Sequence, residues 1–243
     1  GQIDTTLGGQ TERYSLSLDI RRRHGRGETR VQAFGVRYGF TLFSNFTYLL
    51  ERESGDQIRQ RDDRWFGGGE VSHEMTRMWG GVLHEARGGI QARMDDAAVS
   101  LAQTAQRIET AMVRADDVRQ SSGAVYGSIV SRWRPLVRTV LGWRGDAHRF
   151  RVHSDDNRNS GYRSASIGSP KLALIAVPRR GVELYAGGGL GYHSNDARGT
   201  TITRDPRTGE PVDAVNPLVR SRGGEVGARL SGARALRSTV SLW

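Results

Sequence analysis

Ala33-Phe-Gly-Val-Arg-Tyr-Gly-Phe-Thr-Leu42 decides the fold. Phe34, Val36, Tyr38, Phe40 and Leu42 take every second position, and the residues between them, Ala33, Gly35, Arg37, Gly39 and Thr41, are small or polar. A β-strand turns successive side chains to opposite faces, so this spacing gives one bulky apolar face and one thin, polar face. The alternation recurs in both directions along the chain. Upstream, Tyr14, Leu16, Leu18 and Ile20 are set against Ser15, Ser17, Asp19 and Arg21. Downstream, Val137, Thr139, Leu141, Trp143 and Ala147 alternate with Arg138, Arg144, Asp146 and His148. Val182, Leu184, Ala186, Leu190 and Tyr192 form a further row, and Val226, Ala228 and Leu230 oppose Glu225, Gly227 and Arg229. Residues 118 to 133 alternate poorly, and their neighbours alone argue for a strand there.

The links between these rows alternate too. Short ones are expected at His24 to Gly27, Thr76 to Trp79, Arg134-Pro135, Pro178 to Arg180 and Ala233 to Ala235. Long ones are expected at Ser44 to Arg61, Asp95 to Arg114, Ser154 to Ser164 and His193 to Ser221. Tight turns at one rim and long loops at the other are the pattern of an antiparallel transmembrane β-barrel. One segment resists a strand reading. Ala97, Leu101, Ala105, Ile108 and Met112 have helical spacing, so 96–117 is either a short amphipathic helix or an irregular loop.

Composition sets outer bounds. The 243 residues are 36% hydrophobic and 26% charged, with a formal net charge of +10. A basic balance raises nucleic acid as a partner, but the cations are arginines dispersed along the chain, with Lys171 the only lysine. Their spread and the apolar rows argue against nucleic-acid binding. There is no cysteine, which excludes a disulfide framework or thiolate metal site. No apolar run is long enough for a transmembrane helix, and Gly1-Gln-Ile-Asp4 lacks a signal-peptide pattern. A membrane barrel has this low hydropathy because only alternate residues meet lipid.

His193-Ser-Asn-Asp-Ala-Arg-Gly199, with Asp205-Pro-Arg-Thr-Gly-Glu-Pro211 and Asn216-Pro-Leu-Val-Arg-Ser-Arg222, resembles a segment of the TonB-dependent outer-membrane receptors of Gram-negative bacteria. The match extends through Ser44-Asn-Phe-Thr-Tyr48, Gly55-Asp-Gln-Ile-Arg-Gln60, Asp117-Val-Arg-Gln120, Arg138-Thr-Val-Leu-Gly142, Ser169-Pro-Lys-Leu172 and Glu183-Leu-Tyr185. Tyr192 and Gly187 to Gly189 depart from the family pattern without breaking the alternation. The resemblance implies that residues 1–243 are about ten strands within a larger barrel, whose complete form has about 22 strands around a plugged lumen. It implies a chain without its plug domain, in the outer membrane beside lipid and lipopolysaccharide, working with a plug and TonB in the full-length protein. The expected cargo is a scarce nutrient, an iron chelate above all. A passive porin-like or adhesin-like barrel is the alternative, with a soluble basic β-protein behind it.

The chemistry-bearing residues are few. His193, Asn195, Asp196 and Arg198 could hold a chelate or anion at an extracellular mouth, or staple their own loop. Arg37, Arg138, Arg144 and Asp146, taken as polar-face residues, are expected to line a lumen and pair across strands. His84, between Val82 and Ala86, should sit near a membrane interface or be neutral. His148, His153, Asp155 and Asp156 have metal-ligand chemistry, but the spacing from Asp155 to Ser166 misses a calcium loop, so no metal is expected. Gly187-Gly-Gly-Leu-Gly191 lacks the companions of a phosphate loop, and no nucleophile elbow or zinc helix is present. No cofactor and no enzymatic activity are expected.

Overall fold

A computed structural model describes residues 4–48, 50, 55–134, 136–232 and 236–243. Ten strands form one antiparallel sheet in sequence order: β1 (Gly8–His24), β2 (Gly27–Ser44), β3 (Ile58–Trp79), β4 (Val82–Ala105), β5 (Ile108–Arg134), β6 (Val137–Ser154), β7 (Gly161–Arg179), β8 (Val182–Ser194), β9 (Leu218–Ser231) and β10 (Arg237–Leu242). The sheet does not close, since β1 and β10 each pair on one side only. A five-residue helix, α1 (Ala197–Thr201), lies in the β8–β9 loop. The short links expected at Pro135 and over 233–235 fall outside the described residues.

Away from the register shifts in β4–β5, β5–β6 and β7–β8 and from the end of β8, register assigns side chains to faces, because directly opposed residues share one. Tyr14 opposes Arg37, Arg37 opposes Trp65, and Trp65 opposes Asp96. Val71, Ile90, Val125, Gly145 and Gly168 continue this face further down the sheet. We call it the outer face: Leu16, Ile90, Val125, Leu141 and Leu172 on it are all exposed. On the opposite, inner face, Val118, Phe150 and Val152 are buried. Side chains two strands apart also meet there, as Gln91 of β4 meets Arg144 of β6, so the sheet curls inward on that side.

Apolar and small residues dominate the outer face between the rims, over stretches such as 86–94 in β4 and 137–147 in β6 that match the roughly 9–11 strand residues that cross hydrocarbon. Trp79, Trp133 and His84 border it near the tight-turn rim, where His84 Nδ1 lies 2.9 Å from Ser131 Oγ. Tyr14, Trp65 and Tyr162 stand toward the other rim, and beyond them the outer face turns charged.

Two expectations are corrected. Residues 96–117 form neither helix nor loop: β4 and β5 run through them and meet at a two-residue turn, Gln106-Arg107. Steps of four, such as Ala97 to Leu101 to Ala105, are also even steps, so one strand face satisfies them as well as a helix does. Second, Arg37 lies on the outer face, apart from Arg138, Arg144 and Asp146 on the inner one. In β2 the bulky row turns inward, where Val36 is 4% exposed and Phe34 packs edge-on against Phe66 at 6.4 Å. Local spacing shows which residues share a face but not which face is enclosed.

Candidate functional site

A polar ladder crosses the inner face between Glu70 and Tyr192. Gln91 Nε2 donates to Glu70 at 2.7 Å, and the Tyr126 hydroxyl donates to the same carboxylate. Arg144 Nη1 donates to Gln91 Oε1 at 2.7 Å, while its Nε donates to both oxygens of Asp146 at 2.9 Å. Arg87 and Arg144 each sit 6.0 Å from the Tyr126 ring centre. Asp146 is only 5% exposed, so this is a partly desolvated network in which each charge has a partner. Tyr192 closes it. The β7–β8 register ends at Lys171 and Gly189, and beyond that point the Tyr192 hydroxyl comes within 3.1 Å of His148 Nε2. Arg138 extends the inner charges toward the tight-turn rim, 3.2 Å from Glu183.

Over the long-loop end of this face folds the β8–β9 loop. Ala197 of α1 joins the buried cluster of Val118, Phe150 and Val152. Asp196 caps α1 by accepting from the Arg198 N–H at 2.9 Å, and Arg198 Nη2 donates to it at 2.7 Å. Burial works to raise the Asp196 carboxyl, but the Arg198 guanidinium and N–H together hold it below the ordinary carboxylate range. Asn195 Nδ2 donates to the Asn216 carbonyl at 2.7 Å. Three of the four loop residues singled out from sequence thus serve the loop's own conformation, and His193 stands exposed at the end of β8. The described residues hold no group of three or more His, Asp or Glu placed to bind a metal.

The residue that pins this loop is Asn159, which sequence reasoning missed. It is 1% exposed; its Oδ1 accepts from the Thr203 and Arg204 N–H groups at 2.9 Å, and its Nδ2 donates to the Arg204 carbonyl at 3.0 Å. Gln57 plays the same part between the N-terminal segment and the β4–β5 turn, donating to Asp4 and Thr6 and accepting from Thr104 and Arg107. Neither position carries a local signal, because each joins segments more than forty residues apart. Between the folded loop and β3–β5 lies a cavity of about 470 Å³, where Asp62, Arg114, Asp116 and Arg198 meet the apolar Phe40 and Leu101. Asp116 Oδ1 and Arg114 Nη2 are buried there without hydrogen-bond partners among the described residues.

No protein-family model matches the chain, and no curated protein matches it. Solved structures do. The ferric-catecholate import receptor Fiu of K12 E. coli superposes with a TM-score of 0.76 at 8% identity, over 98% of this chain and 41% of that one. The chain has the fold of an outer-membrane receptor barrel. The copper transporter OprC matches with a TM-score of 0.74 at 14% identity, covering 97% of this chain and 39% of its own. The ferric citrate transporter FecA gives 0.70 at 13%, covering 91% and 32%. The chain therefore spans about a third to two fifths of the structures it matches. Its open ten-stranded sheet corresponds to part of such a barrel.

Proposed function

We propose that this chain is the wall of an outer-membrane receptor that takes up a scarce nutrient in an energy-coupled way, with a metal chelate as cargo. The observation that carries the reading is the two-faced sheet: an apolar exposed outer band and an inner face of paired charges. Such a wall sits in hydrocarbon on one side and bounds a wet interior on the other. The likeness to barrels named as ferric-chelate and copper transporters supports the cargo class.

Arg138, Arg144 and Asp146 are proposed to line the lumen. The cavity under the β8–β9 loop is the proposed cargo contact. Arg114 Nε donates to Asp116 Oδ2, which leaves Arg114 Nη2 and Asp116 Oδ1 buried without partners among the described residues, a donor and an acceptor that suit a ligand supplying both. A plug within the lumen and an inner-membrane energy source, TonB in the family it resembles, would drive release.

The test is uptake of a radiolabelled ferric chelate panel by cells carrying the whole protein, with and without an inner-membrane proton gradient. Accumulation that needs both the protein and the gradient supports the reading. Entry that continues after the gradient is collapsed would instead identify a passive porin-like barrel.

A further inference from the structure

We propose that the outer face carries a binding site for a phosphate-bearing lipid headgroup of the outer leaflet, of the kind lipopolysaccharide presents, built by Arg119, Arg149 and Arg151. The inference rests on the outer-membrane reading above and adds a site to it. Three observations place it. Arg119 of β5 stands directly opposite Arg151 of β6, and Arg149 lies on the same face one pair further down, opposite Ser121. Like charges directly opposed across a ladder destabilise it unless an anion lies between them. Asp96 answers only part of this, at 2.8 Å from Arg119 Nε; among the described residues Arg149 and Arg151 have no ion pair. Three guanidiniums thus share one face, with Asp96 the only carboxylate within ion-pair distance of them among the described residues, and the planar fork of arginine fits phosphate oxygens.

The second observation is a groove of about 840 Å³ on the same face, running from these arginines past Trp65 and Met94 to Gly35 and Gly67. Gly35 and Gly67 oppose each other, so no side chain fills the trough at that point. A Cβ at Gly35 would meet nothing within 4 Å, so the space is open to the surroundings. An apolar trough in the hydrocarbon band that leads to a cluster of cations at its border has the two-part chemistry of a lipid: chain and anionic head.

Depth is the third. The arginines lie on the long-loop side of the apolar band, the external side in membrane barrels, whereas an ordinary interfacial cation needs no groove beneath it. A free phosphate would use the arginines alone; a lipid uses both parts.

The whole protein, isolated from outer membranes in detergent, is incubated with bisphosphoryl lipid A, dephosphorylated lipid A or inorganic pyrophosphate, and retained ligand is counted by native mass spectrometry. Bisphosphoryl lipid A should be retained, and the combined Arg119→Gln, Arg149→Gln and Arg151→Gln variant should lower retention by about tenfold or more, as expected for losing several charge-assisted contacts. Gly35→Trp, which fills the trough and leaves every charge in place, should also lower it. Folding of each variant is checked by heat-modifiable gel mobility. Equal retention by wild type and the folded triple variant overturns the site. Equal retention of both lipid A forms, or full displacement by pyrophosphate with Gly35→Trp inert, overturns the lipid assignment. Failure of the protein to fractionate with outer membranes overturns the functional reading itself, a separate result.

Discussion

Asn159 is the side chain whose loss should be felt furthest from its own position. It satisfies two backbone N–H groups and one carbonyl of the β8–β9 loop from the β6–β7 loop, in a place where water does not reach. Asn159→Ala leaves those groups buried and unpaired, at a cost of about 2–3 kcal/mol. The expected outcome is a sharp rise in amide exchange over residues 201–212 with β5 and β6 unchanged, read by hydrogen–deuterium exchange. Asp196 makes a second residue-scale prediction. Its folded carboxyl is held below the ordinary range by Arg198, so the stabilisation it gives is complete above the unfolded value and is lost as pH falls through the folded one. Protection of residues 197–201 should stay flat from pH 7 to about 5 and decline only below about 4. A decline that begins near pH 6 would point to a histidine instead.

At the scale of elements, the turns carry the sharpest contrast. Gly80 and Gly81 close the β3–β4 hairpin with φ of 58° and 75°, and Gln106 and Arg107 close β4–β5 with φ of 50° and 67°. Both have positive φ at the two central positions, as a twisted two-residue hairpin requires, but only glycine adopts that backbone freely. The second turn persists because Arg107 is clamped: its N–H donates to Gln57 Oε1 at 2.8 Å, its Nε to the Thr6 carbonyl at 2.7 Å, and its guanidinium covers Phe43. Gln106→Gly should therefore stabilise the protein by about 0.5–1 kcal/mol, while Arg107→Gly relieves the same strain yet destabilises by removing the clamp. Opposite signs in paired urea titrations check this; two gains would mean that the clamp contributes nothing. The same region shows why sequence legibility stops where it does. The rows in β1, β6, β8 and β9 were readable because their polar and apolar sets differ strongly in chemistry. In β4 and β5, Ala97, Leu101 and Ala105 fit two periods at once, and a turn without Gly, Asn or Pro gave no mark of a hairpin. Long-range partners such as Gln57 and Asn159 lie beyond any local pattern.

For the whole molecule, the orientation of the sheet in its solvent decides everything else, and β2 shows that this is a collective property. Its own pattern would put Phe34 and Phe40 in lipid; its two neighbours, β1 and β3, and through them the register of the whole sheet, put them on the inner face. The outer band then predicts a dependence on depth that no water-soluble sheet would share. Val125 lies within the band, Ala124 points the other way between Gln91 and Asp146, and Ala98 lies above the band on the outer face between Asp63 and Asp117. Arginine at Val125 should cost about 2–4 kcal/mol of folding free energy in a bilayer, whereas arginine at Ala98, near the interface, should cost about 0–1. At Ala124 it enters a wet, charged face close to Glu70 and Asp146 and should cost less than at Val125 despite adjoining it in sequence. Reversible folding of the whole protein into lipid vesicles over a urea series measures all three. Equal penalties at Val125 and Ala98 would mean that no hydrocarbon touches this face, because a charge pays for depth only where the surroundings change from water to lipid along the strand.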